Sequence, residues 1–221
     1  MANLQKGDTK LLNAWAFYDW ANSVYSLVIS SAVFPIFFEA LFTDRTHYIN
    51  VFGFSLKNSA LISFVTAFAF LVVAFISPLL SGISDYVGNK KSFMKFFCYL
   101  GALSCVGLYW FSLENIYIGL LFYFLGLVGF WGSWVFYNSY LPDIAYANQQ
   151  DAISAKGFSY GYVGSVILLV VNLAMIMMPD IFGISGSKGE AAMKAMRYSF
   201  VMVGIWWILF SQYTYYYLPK G

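Results

Sequence analysis

The sequence predicts an all-α membrane protein with six transmembrane helices, and composition and hydropathy pattern together carry that prediction. Of the 221 residues, 61% are hydrophobic, 22% aromatic and only 10% charged, with a mean hydropathy of +0.69. A water-soluble domain carries about 25% charged residues, and a chain of this length cannot hide so much apolar surface from water. Apolar runs at 14–42, 57–81, 92–112, 116–141, 157–178 and 197–217 each approach or exceed the ~20 residues a helix needs to cross ~30 Å of hydrocarbon. Spanning strands would be only ~9–11 residues long and would alternate in polarity, and these runs do neither. Lipid offers the backbone no hydrogen-bond partner, so helices that satisfy their own polar groups are the natural solution. The whole chain, 1–221, reads as a single six-helix bundle whose first partner is the lipid bilayer.

The first run follows Lys6 and Lys10 as a signal peptide would, but it is too long for an h-region and lacks a small-residue cleavage site, so it is read as retained. Orientation follows from lysine and arginine. With the N-terminus inside, Lys6, Lys10, Lys90, Lys91, Lys95, Lys156 and Lys220 face the cytoplasm, and Arg45, Lys57, Lys188, Lys194 and Arg197 the other side. The compact group Lys90, Lys91 and Lys95 decides it, because charges in short loops count most. Both termini are therefore expected in the cytoplasm, with the cell membrane as the location. A net charge of +2 gives no reason to invoke nucleic acid. Trp15, Tyr18 and Trp20 at the start of the first run, and Tyr213, Tyr215, Tyr216 and Tyr217 at the end of the last, are expected to anchor at headgroup depth.

Polar residues inside the runs carry more information. At ~100° per residue, Asp19, Asn22, Ser23, Ser26 and Ser30 fall within one arc of the first helix. Ser59, Ser63, Thr66 and Ser77 share a face of the second. Gly126, Gly129, Ser133, Tyr137 and Tyr140 do so on the fourth, and Gly161, Gly164, Ser165 and Asn172 on the fifth. The stripes of the second, fourth and fifth helices read equally as helix packing and as the lining of a wettable path. Gly157-x-x-x-Gly161-x-x-x-Ser165 reads as packing, since small residues let backbones approach.

Asp19 stands apart. It lies inside the apolar run, where an ionised carboxylate costs several kcal/mol unless it faces protein or water. It either serves a functional path or stays solvated at the cytoplasmic interface. Asn172, deep in the fifth helix, also needs partners, which a packing hydrogen bond would supply. Pro35 is expected to bend the first helix by removing a backbone donor.

Enzymatic chemistry finds no support. The single histidine, His47, lies in a loop beside Asp44 and Arg45, and no metal-ligand pair falls at helical spacing. No nucleotide-binding glycine loop is present, and no cofactor is implied. Cys98 and Cys105, seven residues apart on one helix, would be ~10 Å apart along the axis, beyond the ~7 Å reach of a disulfide.

The run Asp85-Tyr86-Val87-Gly88-Asn89-Lys90-Lys91 resembles the signature loop between helices two and three of the major facilitator superfamily. That motif opens with glycine four residues before the aspartate and places a basic residue after it; Ser81 and Tyr86 stand there instead. Tyr18-Asp19-Trp20-Ala21-Asn22-Ser23, Tyr137-Asn138-Ser139-Tyr140-Leu141-Pro142-Asp143-Ile144-Ala145, and Ile153-Ser154-Ala155-Lys156-Gly157 leading into Gly161-Tyr162-Val163-Gly164-Ser165 narrow the likeness. Together they resemble the subfamily that includes the fungal vacuolar amino-acid effluxer and its bacterial relatives. Ala152 replaces the basic residue common before the isoleucine of the third block.

The resemblance covers the chain but only the first half of the family's length. It implies the N-terminal six-helix half of a major-facilitator-type fold, moving a small-molecule substrate, with amino-acid efflux as the family's example. A second six-helix half, in the same longer protein or a separate chain, is the implied partner for alternating access. Asp85, Gly88, Lys90 and Lys91 would form the conformational gate loop, with both lysines at the membrane face. Asp19, Asn22, Ser23, Ser26, Thr66, Tyr137, Asn138 and Asn172 are the candidates for a substrate or proton pathway. A membrane scaffold or channel subunit is the alternative.

Overall fold

The computed structural model describes residues 4–42, 48–51 and 53–221. Six membrane-length helices carry the fold: α1 Thr9–Ala40, α2 Asn58–Val87, α3 Lys90–Trp110, α4 Ile116–Ile144, α5 Ala147–Met177 and α6 Lys188–Tyr217. One antiparallel hairpin, β1 Tyr48–Val51 and β2 Phe54–Lys57, precedes α2. It adds a small β element to the expected all-helical fold, turning at Gly53, whose φ of 84° suits a residue without a side chain. His47, Asp44 and Arg45 lie outside the described residues.

Several helices run further into water than their apolar runs. α5 begins at Ala147 rather than 157, its start held by the Tyr146 amide donating to Gln149 Oε1 at 3.0 Å. α6 begins at Lys188 rather than 197, behind a reciprocal Ser187–Glu190 capping box. α1 starts at Thr9, where Asp8 accepts from the Lys10 amide at 2.7 Å. α2 continues past 81 to Val87 and stops because Gly88 turns left-handed, φ 63°. Hydropathy marks lipid, whereas caps mark helix ends.

α1 is the central post, packed along α5 and α6, while α4 packs closely on α3. That α3–α4 approach depends on bare backbone: a Cβ at Gly129 would come within 2.4 Å of Gly101 Cα. α2 leans on the outside, with only 11% of its apolar window buried against 56% for α1 and α4. Within α1 the winding widens to a π-helix over Tyr25–Val33 just ahead of Pro35. Proline cannot donate and crowds the preceding turn, so a change of winding is where such a residue is accommodated. Ser31 Oγ donates back to the Ser26 carbonyl at 2.8 Å inside this stretch.

Of the aromatic belt expected at the start of α1, Trp20 is half-buried and the other two residues do not reach the surface. Trp15 is 1% exposed and Tyr18 fully buried, because α1 is surrounded by other helices at this level. Tyr215 is buried too, whereas Tyr213 and Tyr216 point outward. Cys98 and Cys105 are buried free thiols.

Candidate functional site

α1 supplies the polar wall of a cavity of about 270 Å³, through Asp19, Asn22, Ser23, Ser26 and Ser31. α4 faces it with Phe130, Trp131 and Trp134, and α5 with Phe158, Gly161, Tyr162 and Ser165. Four residues of the arc read from helical periodicity, Asp19, Asn22, Ser23 and Ser26, are thus brought together as one surface, while Ser30 lies outside the cavity lining. Ser31, Trp131 and Trp134 were not foreseen. A tryptophan in an apolar run has no local mark distinguishing a cavity wall from a lipid face.

Asp19 sits ten residues past Thr9, ~15 Å along the axis at 1.5 Å per residue, and is 4% exposed. Its Oδ2 accepts a hydrogen bond from Tyr137 Oη at 3.1 Å. Tyr137 is held in turn by stacking on Trp15, with ring centroids 4.3 Å apart. Its carbonyl accepts from Trp15 Nε1 at 2.8 Å. Tyr137 therefore stands behind the carboxylate and orients it, outside the cavity lining. Among the described residues no lysine or arginine lies within ion-pair distance of Asp19.

Glycine makes room for this arrangement. A Cβ at Gly157 would lie 2.7 Å from Asp19 Oδ2, and one at Gly161 would lie 2.5 Å from Ser23 Oγ. The small-residue stripe of α5 is close packing, as expected, and that packing shapes the acidic wall. Lys156, from the same block, reaches α1 and donates to Asn13 Oδ1 at 2.7 Å.

Asn22 is 1% exposed, and neither amide atom has a hydrogen-bond partner within the protein. Leaving a buried polar group unsatisfied costs ~1–3 kcal/mol, so its place on the cavity wall suits a ligand or water.

Three candidates lie elsewhere. Thr66 is 3.3 Å from Tyr123 Oη and ties α2 to α4. Asn138 is exposed and donates to the Trp134 carbonyl of its own helix at 2.9 Å. Asn172 is fully buried with an unpartnered amide, on α5 but outside the cavity lining. Periodicity put Thr66 and Asn172 on polar faces and the family resemblance pointed to Asn138, but only tertiary packing decides what a face meets.

The loop at 85–91 forms a second cluster at one end of the bundle. Lys90 Nζ lies 3.3 Å from Asp85 Oδ1 and 2.7 Å from Asp143 Oδ2, joining the ends of α2 and α4. Lys91 donates through Nζ to the Leu218 carbonyl at 2.6 Å and through its amide to that of Lys220 at 3.0 Å. Tyr140 Oη lies 3.0 and 2.9 Å from the Pro219 and Lys220 carbonyls. Both lysines are engaged within the protein. Asp143 was missed as a partner, although the Leu141-Pro142-Asp143-Ile144-Ala145 run pointed to it. Gly7 donates to the Ile144 carbonyl at 2.8 Å, so residues near both ends of the chain share this end of the bundle.

Residues 7–221 match the family described as vacuole effluxer Atg22 like. The chain belongs to this Atg22-like family. It is 34% identical to the uncharacterized MFS-type transporter YxiO of Bacillus subtilis, over 94% of its own length and 46% of that protein's. An uncharacterized protein of Aquifex aeolicus is 29% identical over 78% of the chain and 41% of its own length. Autophagy-related protein 22-2 of Aspergillus niger is 19% identical over 80% and 38%. No solved structure matches. The chain spans less than half the length of these relatives, and it is a multi-pass membrane protein of a transporter family. Among the described residues no cluster of His, Cys, Asp or Glu could hold a metal ion.

Proposed function

We propose that the chain forms one six-helix half of a secondary transporter that moves a small amine-bearing solute by alternating access. Its partner is a second six-helix half, and amino acids in efflux are the solute class the family points to. The observation that carries this reading is Asp19: a nearly buried carboxylate inside a membrane-length helix, without a cationic partner among the described residues, on the polar wall of a cavity. Such residues mark substrate or ion pathways, because their cost is tolerated only for function. The outward apolar faces of α2 and α5 are where the second half packs. We place the protein in the cell membrane with both termini cytoplasmic, so that the Asp85–Lys90–Asp143 cluster serves as the cytoplasmic gate.

The test is counterflow in proteoliposomes holding the protein with both halves. Labelled amino acid should accumulate against unlabelled amino acid inside, with a rate that saturates. Flux that stays linear with concentration and shows no counterflow would refute the transporter and favour a channel subunit.

A further inference from the structure

We infer that the cavity between α1, α4 and α5 is a subsite for an organic ammonium ion carrying an aromatic-sized apolar body, and that it does not accept a carboxylate. The inference rests on the transporter reading for the purpose of the site and narrows its solute chemistry.

Charge comes first. Among the described residues Asp19 is the one charged side chain on the cavity wall, and nothing basic pairs with it. A carboxylate entering here would bring a second negative charge beside the first, with only neutral hydroxyls and an amide to receive it. A primary ammonium does the opposite. It carries three N–H donors, and α1 offers a matching set of acceptors on successive turns. These are the Asp19 carboxylate, the unpartnered amide oxygen of Asn22, and the hydroxyls of Ser23 and Ser26.

The facing wall is of another kind. Trp131 and Trp134 meet edge to face with centroids 5.5 Å apart, and Phe158 joins them across the cavity. Aromatic faces attract a cation as well as an apolar body. Volume limits the size. At about 270 Å³, the space sits just under the ~300 Å³ lower end of pockets for drug-sized ligands, which suits a single-ring amine. The carboxylate of an amino acid would then have to be held by the second half.

Binding of radiolabelled phenethylamine to the purified protein with both halves tests this directly. Phenethylamine and phenylalaninamide should displace the label, and 3-phenylpropionate should not. Asp19→Asn should weaken amine binding by at least about tenfold. Trp131→Leu and Trp134→Leu, changed on the half-buried wall, should weaken it about two- to fivefold and guard against a folding defect in the first variant. Displacement by 3-phenylpropionate as effective as by the amine would overturn the inference, as would unchanged affinity in Asp19→Asn. Saturable amino-acid counterflow without Asp19-dependent amine binding would sink this inference and leave the transporter reading standing. Amine binding without any transport would support the subsite and sink the transporter reading.

Discussion

Tyr137 donates to the Asp19 carboxylate across 3.1 Å while its ring lies flat on Trp15, centroids 4.3 Å apart. The phenol fixes one carboxylate oxygen and leaves the other for the cavity. Tyr137→Phe keeps the stack and removes that hydrogen bond alone. It should lower stability by ~1.5–3 kcal/mol, the range for a bond to a charged group, as read by thermal unfolding in detergent. Transport should fall with it, because the carboxylate loses its fixed direction.

Two glycines separate site from scaffold. Gly157→Ala places a Cβ 2.7 Å from Asp19 Oδ2 and 3.0 Å from Tyr137 Oη, and Gly129→Ala places one 2.4 Å from Gly101 backbone. Overpacking costs ~1–3 kcal/mol, and side chains yield more readily than backbone. Gly129→Ala should therefore show the larger drop in melting temperature, and Gly157→Ala the larger loss of solute affinity. Gly82→Ala, with nothing within 4 Å of its Cβ, should leave both unchanged.

The six crossings were legible because hydropathy is a direct statement about solvent. The helix ends were not, since Ala147–Lys156 and Lys188–Met196 are polar yet helical, held by caps that hydropathy does not weigh. The α1 arc from Asp19 to Ser26 was legible because helical periodicity fixes which side chains share a face. What that face meets was not: Trp134 on α4 and Gly161 on α5 reach it only through packing. The same reason explains Trp15 and Tyr18. Their place near a run's start suggested the headgroups, and the neighbours of α1 buried them.

Lys90 is the hub of the second cluster, and its two carboxylate partners are about half exposed. The Lys90 side chain is itself only 13% exposed, but Lys90→Met leaves behind carboxylates that water can solvate. Pairs with an exposed partner contribute only ~0–1 kcal/mol, so melting temperature should change little. Transport should fall clearly if the pairs hold the gate, with Lys90→Arg restoring much of it. Asp85→Asn should also impair transport while leaving membrane insertion intact, checked by immunoblot of the membrane fraction.

Lys91 and Tyr140 bind the carbonyls of residues 218–220, so the loop at 84–91 and the segment after α6 share one side of the membrane. Single cysteines at Asn89 and Lys220, in a background lacking Cys98 and Cys105, should react with an impermeant maleimide only in inverted vesicles, as the proposed cytoplasmic placement requires.

Ser26→Cys in that cysteine-free background offers the most direct measurement. Ser26 is exposed on the cavity wall two turns beyond Asp19. In the protein with both halves, a thiol reagent should modify it, stop transport, and be slowed by saturating solute. Complete modification with transport intact and no protection by solute would contradict the placement of the solute path between α1, α4 and α5.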